Sequence, residues 1–334
     1  MEEAKNILRD IKKKALKPMY FLMGEEAYFI DAITDYIANN VLTEAERGFN
    51  QMVIYGKDTS IDDIVANAKR YPMMAEHQVV IIKEAQHLSR TIEQLASYAE
   101  NPQPTTILVV CYKFKKIDKR KSLYKAILKS DGVVFESKKL YENQVIDWVT
   151  KFAKGKGFTI DPKASVMLVE FLGTDLGKIS NEIDKLFLSQ KETKYITPES
   201  VEENIGISKD YNNFELKKAI GERDITKVGR IIAYFSQNPK DNPFVVTIGT
   251  LQSFFTQLLQ YHGLKDKSQR NVASVLRVNP YFVKEYEIAA RNYPMKVVSK
   301  IIAQLRELDL KSKGVGAQNM HQKELLKELL FKTV

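Results

Sequence analysis

The apolar positions of residues 1–140 take two forms, short continuous runs and stripes at helical spacing. The runs Met19–Met23, Met52–Tyr55, Val79–Ile82, Ile107–Cys111 and Val133–Phe135 predict strands. Between them, Phe29, Ile30, Ile33, Ile37 and Val41 share one helical face. Ile61, Ile64, Val65 and Ala68 do the same behind Ser60, an N-cap with Asp63 following. Ile92, Leu95 and Ala96 form a shorter stripe. Strand and helix in alternation predict an α/β layer with a mostly parallel sheet.

After Leu140 the strand signals stop. Val145/Trp148/Val149/Phe152, Val166/Leu168/Val169/Leu172 and Ile179/Ile183/Leu186/Phe187 are helical stripes, punctuated by Gly155–Gly157, Asp161-Pro162 and Thr197-Pro198. From Tyr211 the apolar faces are broader: Leu251/Phe254/Phe255/Leu258/Leu259, then Val297/Val298/Ile301/Ile302/Leu305/Leu308, then Leu325/Leu326/Leu329/Leu330. Pro239, Pro243, Pro280 and Pro294 separate these elements. The expected fold class is α/β plus all-α: an α/β domain over 1–140, a small helical domain over 141–210 and an all-helical domain over 211–334.

A chain of 334 residues is long enough for two or three such cores. Cys111 is the only cysteine, which excludes internal disulfides and disfavours a thiolate metal site. It is the usage expected of a reducing, cytoplasmic compartment. The four histidines have no ligand-like spacing, so no metal is expected. No signal segment or membrane-length apolar run is evident, so no membrane partner is expected. The net charge of +9 is uneven: residues 112–139 carry ten Lys/Arg against three Asp/Glu, a local +7. Such a concentration suggests a polyanion, usually nucleic acid; the plainer alternative is a solvated lysine-rich loop and helix.

Two segments carry traces of nucleotide chemistry. In Gln78–Ser89, apolar residues run into Lys83 and Glu84, the outline of a Walker-B strand of the AAA+ type. An active ATPase has Asp-Glu there, to hold Mg²⁺ and orient water; Lys83 puts a cation at the Asp position. A phosphate loop would follow the first strand. Against GxxxxGK[ST], Gly24 keeps the first glycine, while Phe29, Ile30 and Asp31 replace the second glycine, the lysine and the hydroxyl. Glu25 and Glu26 add negative charge beside the phosphate position. Gly24 then reads as a turn glycine, and the glutamates as residues of a helix N-terminus. No catalytic residue and no cofactor are expected. Lys83 is left to pair with Glu84, Glu25 or Glu26.

With both motifs degenerate and this domain order, the whole chain resembles the delta-subunit family of bacterial DNA polymerase III clamp loaders. The resemblance is carried by Pro18–Phe29, by Gly173–Leu186, and by Leu276–Val283 with Leu305–Gly314. It implies an AAA+-like α/β domain without ATPase activity, a helical lid and a helical collar. The implied partners are a sliding clamp, the ATPase subunits and a second non-motor subunit of a pentameric loader, and primed DNA within that complex. The implied role is to bind the clamp ring and hold one interface open.

The family's hydrophobic clamp-binding pair falls here on Met73 and Met74, in Tyr71-Pro72-Met73-Met74. Leu-Phe is the commoner pair, without the preceding proline. Read from the residues alone, Pro72 should end the preceding helix and leave two methionines at its tip. Methionines suit an adaptable binding plug; the competing reading is that they cap the core at a helix–strand junction. Leu176 lies near the place of a lid sensor arginine. Lys113, Lys115, Lys116, Lys119, Arg120 and Lys121 follow the fourth strand. They are expected to face DNA or a neighbouring subunit, with Phe114 and Ile117 packed inward. Two other functions compete: an active AAA+ ATPase with unusual motifs, and a stand-alone basic DNA-binding protein.

Overall fold

All five apolar runs of residues 1–140 become strands of one parallel sheet, in the order β2-β3-β4-β1-β5. They are β1 (Met19–Gly24), β2 (Gln51–Tyr55), β3 (Gln78–Lys83), β4 (Thr106–Lys113) and β5 (Val133–Ser137). The structure, a computed structural model, describes residues 2–206, 208–315 and 320–333. It divides into two compact units, Met1–Leu140 and Tyr141–Val334.

In the first unit α1 (Glu2–Lys12) precedes the strands, which are joined through α2 (Ala27–Asn40), α3 (Glu44–Asn50), α4 (Ile61–Ala68), α5 (Ala96–Glu100) and α6 (Ser122–Lys129). Helices cover both faces of the central strands β1, β3 and β4, which is why these read as unbroken apolar runs, while Met52, Val53 and Tyr55 of the edge strand β2 are exposed. Successive side chains alternate between two cores. Met19, Phe21 and Met23 of β1 join Ile61 and Ile64 of α4 and Leu123 and Ile127 of α6. Tyr20 and Leu22 join Ile7 and Ile11 of α1 and Ile30, Ile33 and Ile37 of α2. The parallel ladder also extends to polar residues: Gln78 pairs with Thr106, and Gly24 with both Lys113 and Ser137. Three helices, α1, α3 and α6, lie outside the apolar stripes read from the sequence. Of these, α3 carries a readable signal, a capping box between Thr43 and Glu46. The stripe at Ile92–Ala96 is a 3-10 turn running into α5.

The second unit contains α7 (Glu142–Gly155), α8 (Pro162–Leu172), α9 (Leu176–Ser189), α10 (Pro198–Ile205), α11 (Asn213–Glu222) and α12 (Ile225–Gln237). It continues with α13 (Phe244–Gly263), α14 (Gln269–Leu276), α15 (Val283–Asn292), α16 (Met295–Ser312) and α17 (Gln322–Thr333). Strand structure does not stop at Leu140, contrary to the apolar pattern. Thr159–Ile160 and Tyr195–Ile196 form a short parallel pair, β6 and β7. Only Ile160 and Ile196 of that pair are buried, too few to make an apolar run. Leu251, Phe254, Phe255 and Leu258 of α13 meet Val298, Ile301, Leu305 and Leu308 of α16 in one core. Val297, expected on that face, lies outside it and is 36% exposed.

Two carboxylates of this unit have contrasting environments. Glu215 is buried between Lys163 at 2.7 Å and Lys227 at 2.5 Å. Glu170 accepts the Phe214 N–H at the first turn of α11 through Oε2 (3.2 Å). Its Oε1 is buried without a hydrogen-bond partner. Burial pushes the Glu170 carboxyl up to about 7, with Lys217 only partly opposing. The native state therefore keeps a proton that the unfolded chain releases at lower pH. The contribution of Glu170 to stability should fall as pH rises from about 4.5 to about 7, by on the order of 3 kcal/mol, and then level off. Glu170→Gln should match the wild type near pH 4 and be the more stable protein at pH 8. Denaturant titrations across that range measure this; parallel wild-type and variant curves would refute it.

Candidate functional site

The segment between α4 and β3 is pinned from several sides. At its start, Thr106 Oγ1 donates to the Ala68 carbonyl (2.7 Å). Gln78 Nε2 donates to the Arg70 carbonyl (2.5 Å) and to Thr106 Oγ1 (2.7 Å). Carbonyls left over at the end of α4 thus find side-chain donors. Further on, Met73 is gripped by Asn50, the last residue of α3. The Met73 N–H donates to Asn50 Oδ1 (2.6 Å), and Asn50 Nδ2 donates to the Met73 carbonyl (2.9 Å).

This framework presents an apolar tip. Helix α4 has already ended at Ala68, before Pro72. Tyr71 is 76% exposed, Met73 62% and Met74 102%, while Pro72 is half-buried. The methionines stand in solvent and do not cap the core. Met74 has a φ of +53°, uncommon for a residue with a Cβ. Phe49, beside Asn50, is 76% exposed. Neither Phe49 nor Asn50 stands out in the sequence. Asn50's partner lies 23 positions away, and no local pattern announces it.

At the positions compared above with a phosphate loop and a Walker-B strand, the side chains bind one another or the core. Glu26 is the N-cap of α2, and its carboxylate accepts the Tyr28 N–H (3.1 Å). A helix N-terminus is a ready anion site, and here a carboxylate of the chain fills it. Ile30, at the lysine position, is fully buried, and Phe29 packs against the same core. Lys113, the last residue of β4, turns inward and binds Asp31 at 2.8 Å and Glu84 at 3.5 Å. Burial lowers the Lys113 pKa, but the two carboxylates outweigh it and the net shift is upward. So the residues at the hydroxyl and Walker-B glutamate positions are joined by a lysine. Lys83, expected from the sequence to make such a pair, makes no ion pair among the described residues. Leu176 is a fully buried core residue at the start of α9. No group of three or more potential metal ligands occurs among the described residues.

The basic segment divides. Ile117 is buried as expected. Phe114 is 66% exposed, contrary to expectation, and has a φ of +59°. Its N–H is held by the Gly24 carbonyl (2.8 Å), and the left-handed turn throws the ring outward. Lys113, expected to face outward, is the inward-bound cation just described. The others are at the surface with neighbours. Lys115 donates to Ser89 (2.7 Å), and Lys116 pairs with Glu136 (3.0 Å). Lys119 also reaches Glu136 (3.8 Å), Arg120 pairs with Asp118 (2.7 Å) and Lys121 with Glu93 (3.9 Å).

Residues 20–138 match the family "DNA polymerase III, delta subunit". Residues 210–333 match "DNA polymerase III delta subunit, C-terminal domain". The chain is 28% identical over 337 residues to DNA polymerase III subunit delta of Bacillus subtilis, covering 98% of this chain and 95% of that one. Among solved structures it is similar to the Bacillus subtilis DNA clamp loader delta protein. That match has a TM-score of 0.53 and 27% identity, and covers 98% of each chain.

Proposed function

Because the chain belongs to the DNA polymerase III delta subunit family, we propose that it is the clamp-opening subunit of a clamp loader. It binds the ring-shaped sliding clamp through Met73 and Met74, flanked by Tyr71 and Pro72, and holds one ring interface open for placement on primed DNA. The observation that carries this reading is the pair of solvent-exposed methionines on a hydrogen-bonded, pinned segment. Flexible, polarizable side chains can adapt to an apolar pocket, and a backbone already fixed removes the main-chain part of the entropic cost.

The subunit does no nucleotide chemistry in this reading. The Glu26 cap and the Lys113–Asp31–Glu84 cluster support this, since they occupy the phosphate and metal positions with the chain's own charges. Residues 141–210 serve as a lid and 211–334 as a collar that joins the ATPase subunits and a second non-motor subunit, in the cytoplasm. A pull-down with the cognate sliding clamp tests the reading. Capture of the clamp by the purified chain, without ATP hydrolysis above background, is the expected result. ATP turnover by the isolated chain would favour an ATPase, and tight duplex binding without a clamp would favour a stand-alone DNA-binding protein.

Lys115, Lys116, Lys119, Arg120 and Lys121 remain the proposed contact with DNA or a neighbouring subunit. Their contacts, a hydrogen bond to Ser89 for Lys115 and ion pairs for the others, are at the surface and worth little, so a phosphate can displace them. Changing Lys115, Lys116, Lys119 and Lys121 to Glu should weaken loading and flatten its salt dependence, by a slope of up to ~0.9 for each phosphate no longer neutralised. Normal loading at every salt concentration would remove the segment from the interface.

A further inference from the structure

We propose that Asn50 is the positioning residue of the clamp-binding segment, holding the Met73 backbone in its docking conformation before the clamp arrives. This rests on the clamp-binding reading above. Residues 69–77 have no helix or strand of their own. A free segment would have to be ordered on binding, and each residue fixed opposes association. Here the ordering is already done by a side chain that mimics a strand neighbour. The Asn50 amide accepts the Met73 N–H (2.6 Å) and donates to the Met73 carbonyl (2.9 Å). Its second amide hydrogen goes to the Glu46 carbonyl one turn back in α3 (3.1 Å). Both donors are thereby used, and the residue is only 5% exposed. Asparagine is the side chain that does this at this length: it offers acceptor and donors side by side, whereas aspartate at neutral pH offers acceptors only. The adjacent Met74 lies in the left-handed region, a conformation that a loose segment would leave. Arg70 is fixed independently by Gln78. The two anchors bracket Tyr71 and Pro72, and Met74 follows directly on the second.

The test combines amide exchange with clamp binding. In the wild type the Met73 amide should exchange slowly, although it lies outside any helix or strand. In Asn50→Ala it should exchange fast, while the sheet amides of β3 and β4 stay protected. Clamp affinity of Asn50→Ala should fall about tenfold, equivalent to freezing roughly one residue's backbone on binding. In a Met73→Ala/Met74→Ala background the same change should have a markedly smaller effect, because no methionine side chain is left for Asn50 to position. Asn50→Asp, which keeps the acceptor and loses both donors, gives a second variant should alanine loosen α3; it should weaken clamp binding and leave the Met73 amide partly protected. Equal exchange at Met73 in wild type and Asn50→Ala would overturn the proposal. So would an Asn50→Ala effect of full size in the Met73→Ala/Met74→Ala background. Full clamp affinity in Asn50→Ala alongside weakened binding in Met74→Ala would overturn the positioning role alone. Unchanged affinity in Met73→Ala/Met74→Ala would overturn the methionine wedge, and with it the role assigned to Asn50.

Discussion

Replacing Met73 and Met74 together by alanine should weaken binding to the sliding clamp by at least ~30-fold, the loss typical of a hot-spot anchor. The change should leave the fold intact. Both side chains are in solvent, Met74 fully so, and their removal opens no cavity. Surface substitutions of this kind usually shift stability by within about 0.5 kcal/mol, so the melting curve should not move. That separation makes the experiment decisive, because lost affinity cannot then be ascribed to unfolding. Titration calorimetry or surface-binding kinetics with the purified clamp gives the affinity, and thermal melting gives the control. Met74→Ala alone should account for most of the loss, since Met73 also holds its place through a backbone that alanine retains. Unchanged affinity in the double variant would sink the wedge and move attention to the exposed Phe49 and Tyr71.

The sheet was legible because its chemistry is local. Strands covered on both faces are apolar over nearly their whole length, as β1, β3 and β4 are, and β2 reads as a run too although Met52, Val53 and Tyr55 are exposed at the sheet's edge. The stripe of α4 with its Ser60 cap was equally plain, and the structure keeps the capping box with Asp63. The candidate site was legible only in part. Met73 and Met74 were found through resemblance, and their exposure is consistent with that reading. What holds them was not legible, because Asn50 and Gln78 act on backbone atoms distant in sequence. The same limit explains Lys83. Glu84 is its neighbour in sequence, but the parallel ladder brings the end of β4 alongside β3, and Lys113 there binds Glu84 instead. Phe114 has an apolar side chain in a basic stretch, which reads as a packed residue. A left-handed turn at the end of a strand reverses that, and no hydropathy pattern encodes it.

Gly24→Ala should be among the most damaging single substitutions in the first unit, lowering its stability by about 3 kcal/mol or more. Two independent effects converge. Gly24 has a φ of +122°, a region that residues with a Cβ avoid. A Cβ there would also lie 2.1 Å from the Ser137 carbonyl oxygen, a backbone atom that can move only if β5 moves away from β1. Gly24 is a junction as well: its N–H donates to the Lys115 carbonyl (3.1 Å), its carbonyl accepts from Phe114 (2.8 Å), and Glu25 N–H donates to Ser137 (2.8 Å). Displacing β5 would break that set together. In sequence this glycine looks like the remnant of a phosphate loop, and its retention invites a search for nucleotide binding. The geometry gives a different reason for it, since the close approach of strands at the sheet's edge requires glycine whether or not a phosphate ever binds. Unfolding of the first unit, followed by exchange of the β1 and β5 amides, should show the loss, at ~2–4 °C of melting temperature per kcal/mol for a chain segment of this size. A variant melting within a degree of the wild type would mean that β5 yields easily, and that the glycine has no structural reason to be there.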